Sequence, residues 1–296
     1  MTASYPGFEP WREFPTLSIA EYAQFQRLIY AEAGIALSAA KLTFVATRLA
    51  PRVRDLGLPT FGAYYRRIVG GDVDELGRML DAIAINETQF FREELQFDLL
   101  ARECCGEWSA HAAAGARPRR LRVWSAACST GEEPYSIAMV LHDRLATAGW
   151  DIEIIASDLS TSALDRARAG VWSIGKLDRV PTPFMKRHFL RGEGPQAGRA
   201  KIGPAASGMI DFQRINLRDD RYPVTGSFDA IFCRNALIYF DAASRAHVIE
   251  RLISHLAPGG FLFLGHAESL IGTSYPLRSV MPAVYRLSAM AEAGAP

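Results

Sequence analysis

Four short apolar runs, LRVWSAA, IEIIAS, FDAIFC and GFLFLG, punctuate the chain from about residue 118 onward. Between them lie stretches of helical pattern: EEPYSIAMVLHDRLATAG, SALDRARAG and AASRAHVIERLISHLA. Strands that alternate with helices at this spacing predict a parallel, doubly wound α/β sheet. Residues 190–211 (LRGEGPQAGRAKIGPAASGMID) break the rhythm. Their Gly-rich, short alternating pieces predict a small antiparallel β-subdomain, placed at about 188–212.

The first third has a different texture. Ser18 and Glu21 have capping-box spacing, and Ile19, Tyr22, Phe25, Leu28 and Ile29 recur on one helical face. After a stop at Gly34, Leu42, Val45, Leu49, Val53 and Leu56 predict a second helix that Pro51 kinks or divides. Thr60 can cap a third, and a fourth runs through Leu76, Leu80 and Ile83 towards Asn86. The expected organisation is an N-terminal all-α domain over 1–85, a connecting helix and linker over 86–117, and the α/β domain over 118–296.

Composition sets the class. Hydrophobic residues at 49% and charged residues at 22% suit a globular chain, and no apolar run reaches the ~20 residues of a membrane span. The first residues, MTASYPGFEPWREF, lack the pattern of a secretory signal, so a cytoplasmic location is expected and the sequon at Asn86 carries no meaning. With 33 basic against 32 acidic residues the net charge is +1, which argues against binding nucleic acid by phosphate neutralisation. Cys104, Cys105, Cys128 and Cys233 form no CxxC pair, so neither a metal site nor a disulfide framework is expected.

In an open parallel sheet, ligands bind beyond the carboxyl ends of the strands. After the first strand comes Ala126-Ala127-Cys128-Ser129-Thr130-Gly131-Glu132-Glu133-Pro134. This is neither a GxGxxG fingerprint nor a P-loop. Its two glutamates would repel a pyrophosphate but not the cationic S-adenosylmethionine; equally, they could merely complement the helix dipole. Asp158 ends the second strand, where an acid either accepts from ribose hydroxyls or caps the next helix. Asn216 and Leu217 stand at a third strand end, and Arg234 and Asn235 at a fourth, where a polar pair needs partners if buried. Asn86, Thr88 and Arg92, before the sheet, could share one polar face.

NETQFFRE, RVWSAACSTGEEPYSIAM, ASDLSTSALDRARAGVW, SFDAIFCRNALIYFD and PGGFLFLGHAESL occur in order across roughly residues 15–290. Together they resemble the signature blocks of the chemotaxis receptor methyltransferases, the CheR family. The resemblance implies a class I S-adenosylmethionine methyltransferase domain with a small β-subdomain and an N-terminal helical domain. It implies methyl transfer to glutamate side chains of methyl-accepting chemoreceptors, with S-adenosylhomocysteine as product. By resemblance, Asn86, Thr88 and Arg92 close over the cofactor, Glu133 faces its amine and Asp158 holds its ribose. Asn216, Leu217, Arg234 and Asn235 line its remaining parts, and Arg92 and Tyr239 fall nearest the methyl-transfer centre. The last block reads GHAESL where many relatives have Ser and Asn, so no role passes to Ala267 or Ser269.

A glutamate side chain, with an unperturbed pKa of about 4.3, is already an ionised nucleophile at neutral pH, so the reaction needs approach geometry rather than a general base. Arg92 is expected to supply the counter-charge and Tyr239 to orient. Arg48, Arg52 and Arg54 form a basic stretch that suits acidic receptor helices, or is simply a solvated face. The chain is expected to act as a monomer. The alternatives are a catalytically weak cofactor-binding regulator and a nicotinamide-dependent oxidoreductase; the second lacks its glycine fingerprint.

Overall fold

The computed structural model describes residues 15–270 and 272–288. The chain divides into two compact units, Met1–Ala31 with Ala36–Ile83, and Glu32–Ile35 with Ala84–Pro296.

The first unit is built from α1 (Ile19–Ala33) up to Ala31, α2 (Leu42–Asp55), α3 (Phe61–Val69) and α4 (Val73–Ile83). Ser18 and Glu21 form the expected reciprocal cap: Glu21 N–H donates to Ser18 Oγ at 3.2 Å, and Ser18 N–H to Glu21 Oε2 at 3.0 Å. Glu21 Oε1 also accepts from the Gly62 amide at 2.7 Å, pinning the start of α3. A Cβ at Gly62 would stand 2.9 Å from that oxygen. Thr60 caps α3 through Ala63 N–H, as its position predicts.

Phe25 on α1 packs on Tyr64 at 6.0 Å and Tyr65 at 5.5 Å, and Val45, Leu49 and Val53 bury one stripe of α2. Two expectations change. Ile19 is 80% exposed, so the buried face of α1 begins at Tyr22. Helix α2 runs unbroken through Pro51, since helix packing outweighs the one backbone bond proline forfeits.

Glu75 on α4 is fully buried beneath this layer. Arg52 donates to both its oxygens at 2.9 and 2.7 Å, and the Tyr64 hydroxyl donates at 2.9 Å. Burial would raise the Glu75 carboxyl, but these donors outweigh it and hold it below the ordinary range.

In the second unit, α5 (Glu94–Leu99) passes through a π-helical turn, Leu100–Cys104, into α6 (Cys105–Ala113). The sheet then alternates as the apolar runs predict: β1 (Arg120–Ser125), α7 (Glu132–Leu145), β2 (Asp151–Asp158) and α8 (Thr161–Ala169). Its strand order is β6-β2-β1-β7-β8-β10-β9, with β6 (Ile210–Arg214), β7 (Phe228–Cys233), α11 (Ala242–Ser254), β8 (Leu256–Leu264), β9 (Leu277–Met281) and β10 (Val284–Leu287). The first five strands in that order are parallel, while β10 pairs antiparallel with both β8 and β9. Trp124, Phe232 and Phe263 are fully buried among these strands, and the Phe232 and Phe263 rings stack at 4.1 Å.

A separate antiparallel sheet, β3-β5-β4, comprises β3 (Val171–Ser173), β4 (Phe189–Arg191) and β5 (Arg199–Ile202), with α9 (Thr182–His188) between β3 and β4. β4 and β5 fall within the expected 188–212, and β3 precedes it. After the short α10 (Pro204–Ser207), Ile210–Arg214 leaves it to pair with β2. Asp143 on α7 anchors this subdomain, accepting from Arg187 at 2.7 Å and His188 at 2.9 Å on α9. His142 Nδ1 stands 3.7 Å from the same carboxylate. Both oxygens of Asp143 are thus engaged, and the cluster acts as a staple.

All four cysteines are free and buried, and burial pushes their thiols upward, Cys105 to about 12. Among the described residues no helix is long and apolar enough to cross a membrane.

Candidate active site

From β1 the chain steps outward through β2 to β6, whereas β7 and β8 lie on the other side of β1. The crossovers therefore part above β1 and β7, and a crevice opens at the carboxyl ends of these strands. A cleft of about 950 Å³, its open mouth included, occupies that position.

The loop after β1 forms the floor. Ala126 and Ala127 contribute little bulk, and Ser129 adopts φ +48°. Gly131 turns the chain at φ +99°, where an added Cβ would stand 2.9 Å from Ala167 Cβ. This turn delivers the start of α7. There the two glutamates take different paths: Glu132 accepts from its neighbour Thr130 at 2.6 Å, while Glu133 lines the cleft.

Glu133 accepts from Ser125 Oγ at 2.7 Å and pairs with Arg234 at 3.2 Å. Arg234, 5% exposed, also pairs with Glu93 at 3.1 Å and donates to the Arg92 carbonyl. Burial raises the Glu133 carboxyl above the ordinary range against the pull of Arg234 and Ser125. Burial raises Glu93 too, but Arg234 and the His266 amide outweigh it and leave Glu93 lowered.

Asp158, at the end of β2, accepts from Ser129 N–H at 2.8 Å and Ser160 N–H at 2.9 Å. Ser129 Oγ in turn donates to Asn86 Oδ1 at 3.3 Å. The segment holding Asn86 and Thr88 is not a helix. It has no regular secondary structure, and the helix that follows begins only at Glu94, after Phe91 and Glu93 both take left-handed φ. Arg92 bends back to donate to the Glu87 carbonyl at 3.2 Å. Asn216 spends its amide on the backbone, donating to Glu32 O at 2.6 Å and accepting from Arg218 N–H at 3.0 Å. Tyr239 sits on a 3₁₀ turn after β7, its phenol raised above the ordinary range by burial.

The residues singled out at the strand ends and before the sheet share this cleft: Asn86, Thr88 and Arg92; Glu133 and Asp158; Asn216 and Leu217; Arg234, Asn235 and Tyr239. Arg48, Arg52 and Arg54 belong to the helical unit. Arg48 is exposed and lies over the Phe44 ring at 5.3 Å, and Arg54 is exposed. Arg52, by contrast, is committed to Glu75.

Residues 20–84 match the family description "CheR methyltransferase, all-alpha domain", and residues 86–284 match "CheR methyltransferase, SAM binding domain". The chain belongs to the CheR methyltransferase family. It is 39% identical over 265 residues to "Chemotaxis protein methyltransferase 2" of Pseudomonas aeruginosa, covering 90% of this chain and 92% of that relative. To the "Chemotaxis protein methyltransferase" of Escherichia coli K12 it is 40% identical over 254 residues, 86% of this chain and 85% of the relative.

The cofactor of the CheR sheet domain is S-adenosylmethionine, and the cleft suits it. A buried carboxylate at Glu133 complements a cation, Asp158 offers a second carboxylate, and the alanines leave the floor open. Nothing in the sequence alone singles out Ser129 or Glu93. Glu93 lies within the quoted NETQFFRE block, and Ser129 within the loop after β1; their roles arise from partners distant in sequence.

Proposed function

We propose that this CheR-family enzyme transfers the methyl group of S-adenosylmethionine to glutamate carboxylates on the cytoplasmic helices of methyl-accepting chemoreceptors. The observation that carries the reading is the placement of Glu133, Arg92 and Tyr239 on one cleft at the switch point of the sheet. Bound S-adenosylmethionine supplies an electrophilic methyl group on a sulfonium that carries its own leaving group.

The protein's task is placement. Glu133 draws the cationic amino-acid end of the cofactor to the floor. Asp158, fixed by the Ser129 and Ser160 amides, holds the ribose. Asn86 and Thr88 close from above, and Leu217 and Asn235 flank the adenine and methionine parts. Asn216 acts one step back, by locking the Glu32–Ile35 segment that contributes to the wall. Arg234 does the same by holding Glu133 and Glu93.

The substrate carboxylate, pKa about 4.3, arrives ionised. The Arg92 guanidinium draws it in without protonating it, and the Tyr239 hydroxyl orients it. Fixing both partners accounts for about 7–11 kcal/mol of barrier reduction through effective molarity, and no general base is required. Arg48 and Arg54 present a basic helix face to the acidic receptor helices.

The test incubates the chain with tritiated S-adenosylmethionine and receptor-bearing membranes, then treats the labelled receptor with mild base. Release of the label marks a glutamyl ester. Label that resists base, or no incorporation at all, overturns the reading.

A further inference from the structure

Glu268 follows β8 in the loop Gly265–Ser269 and is 2% exposed. Its carboxylate accepts three backbone amides. Oε2 takes Gly265 N–H at 2.7 Å and Asn235 N–H at 2.8 Å, and Oε1 takes Ile238 N–H at 3.2 Å. Gly265 belongs to the loop after β8, whereas Asn235 and Ile238 belong to the loop after its parallel neighbour β7. One side chain therefore clamps two strand-end loops together.

The clamp holds backbone at a tight corner. Asn235 takes φ +57°, a left-handed conformation that asparagine tolerates better than most residues with a Cβ. The two loops approach so closely that a Cβ on Gly265 would stand 2.5 Å from Asn235 Nδ2 and 2.9 Å from Asn235 N. A backbone amide withdrawn from water needs an acceptor, and the Glu268 carboxylate accepts from all three, the Gly265 bond buried and the other two partly so. The residues so held are the ones that matter: Asn235 lines the cleft, and Ile238 sits inside the 3₁₀ turn Leu237–Tyr239 that presents Tyr239.

We infer that Glu268 is a positioning residue for methyl transfer, a buried carboxylate that sets the β7 loop and thereby aims Tyr239 at the reacting centre. The inference rests on the role proposed for Tyr239. Glutamine at this position keeps the volume but turns an N–H₂ group towards backbone donors, so the loop must shift.

The experiment combines a mutant cycle with hydrogen exchange on the full chain. Glu268→Gln is expected to lower kcat by about 30-fold while changing the Kd for S-adenosylhomocysteine by less than about fivefold. Tyr239→Phe, costing about tenfold in the parent, should cost less than about twofold in the Glu268→Gln background, because the two residues act through one geometry. Glu268→Asp, which keeps the charge but shortens the reach, should restore part of kcat. A kcat within twofold of the parent in Glu268→Gln, or effects of the two substitutions that simply multiply, overturns the inference.

Hydrogen exchange on the unmodified chain decides the same point where Glu268→Gln does not fold or the parent transfers no methyl group. The Asn235, Ile238 and Gly265 amides should exchange slowly, and fast exchange at Ile238 refutes the clamp. Failure of the receptor assay with slow exchange intact would count against the proposed function and leave the clamp standing.

Discussion

Glu133 and Arg234 meet at 3.2 Å with both side chains shut away from water, and Arg234 reaches Glu93 at 3.1 Å with its other terminal nitrogen. One planar cation serves two carboxylates, Glu93 just before α5 and Glu133 in the first turn of α7. Arg234→Met leaves both carboxylates buried without a cation and is expected to cost about 3–5 kcal/mol. Lysine, a point charge without a fork, should not rescue it. Denaturant unfolding of the two variants beside the parent checks this, and stability within about 1 kcal/mol of the parent would contradict it.

Cofactor affinity should depend on pH through Glu133. Burial raises this carboxyl, so protonation sets in at higher pH than for an exposed glutamate. A cationic ligand needs the ionised form. Affinity is therefore expected to be level at neutral pH and to fall as the pH drops into the raised carboxylate range. Glu133→Gln should weaken binding by about 10- to 100-fold and flatten that part of the profile. Calorimetric titration with S-adenosylhomocysteine across pH 5–8 measures both effects.

The helical unit carries an acid-sensitive lock at Glu75. Its folded carboxyl lies below its unfolded value of 4.5, so the stabilisation is fully present above that value and is lost as the pH falls through the lowered folded pKa. Arg52→Leu removes the main donor and is expected to destabilise the unit by about 3 kcal/mol. Circular dichroism melts at pH 7 and at pH 4, with and without the substitution, follow the loss.

Arg48 and Arg54 remain the exposed part of the basic stretch. Reversing both to glutamate should lower receptor methylation by about tenfold or more, through a raised KM for receptor, while S-adenosylhomocysteine binding stays within about twofold of the parent. Because the contact is electrostatic, added salt should narrow the difference. Equal losses in methylation and cofactor binding would remove the docking role.

Legibility in the sequence followed burial. Runs such as FDAIFC lie in the middle of the sheet, and their unbroken apolar character revealed them; that run coincides with Phe228–Cys233. The strand IDFQR at the sheet edge has only partly buried and exposed positions, so its pattern blended into the glycine-rich stretch before it. That is why the expected subdomain ran on to 212, past the last strand of the small sheet at Ile202. The β9–β10 hairpin was missed because β9 has no fully buried position and β10 is only four residues long.

At the site, strand-end logic pointed to residues that share one cleft, because the topology fixes where strand ends converge. It could not show that Arg52 would find Glu75, or that Arg234 would find Glu93 across 141 positions of sequence. Pairings of that kind are decided by packing.

The four sequestered thiols have a practical corollary. Alkylating reagents consume the thiolate, which burial suppresses here, so the native enzyme should be nearly silent towards iodoacetamide. A cysteine introduced on the surface would then take up a dye or spin label alone, giving distance measurements on the working enzyme without first stripping its own sulfur from the core.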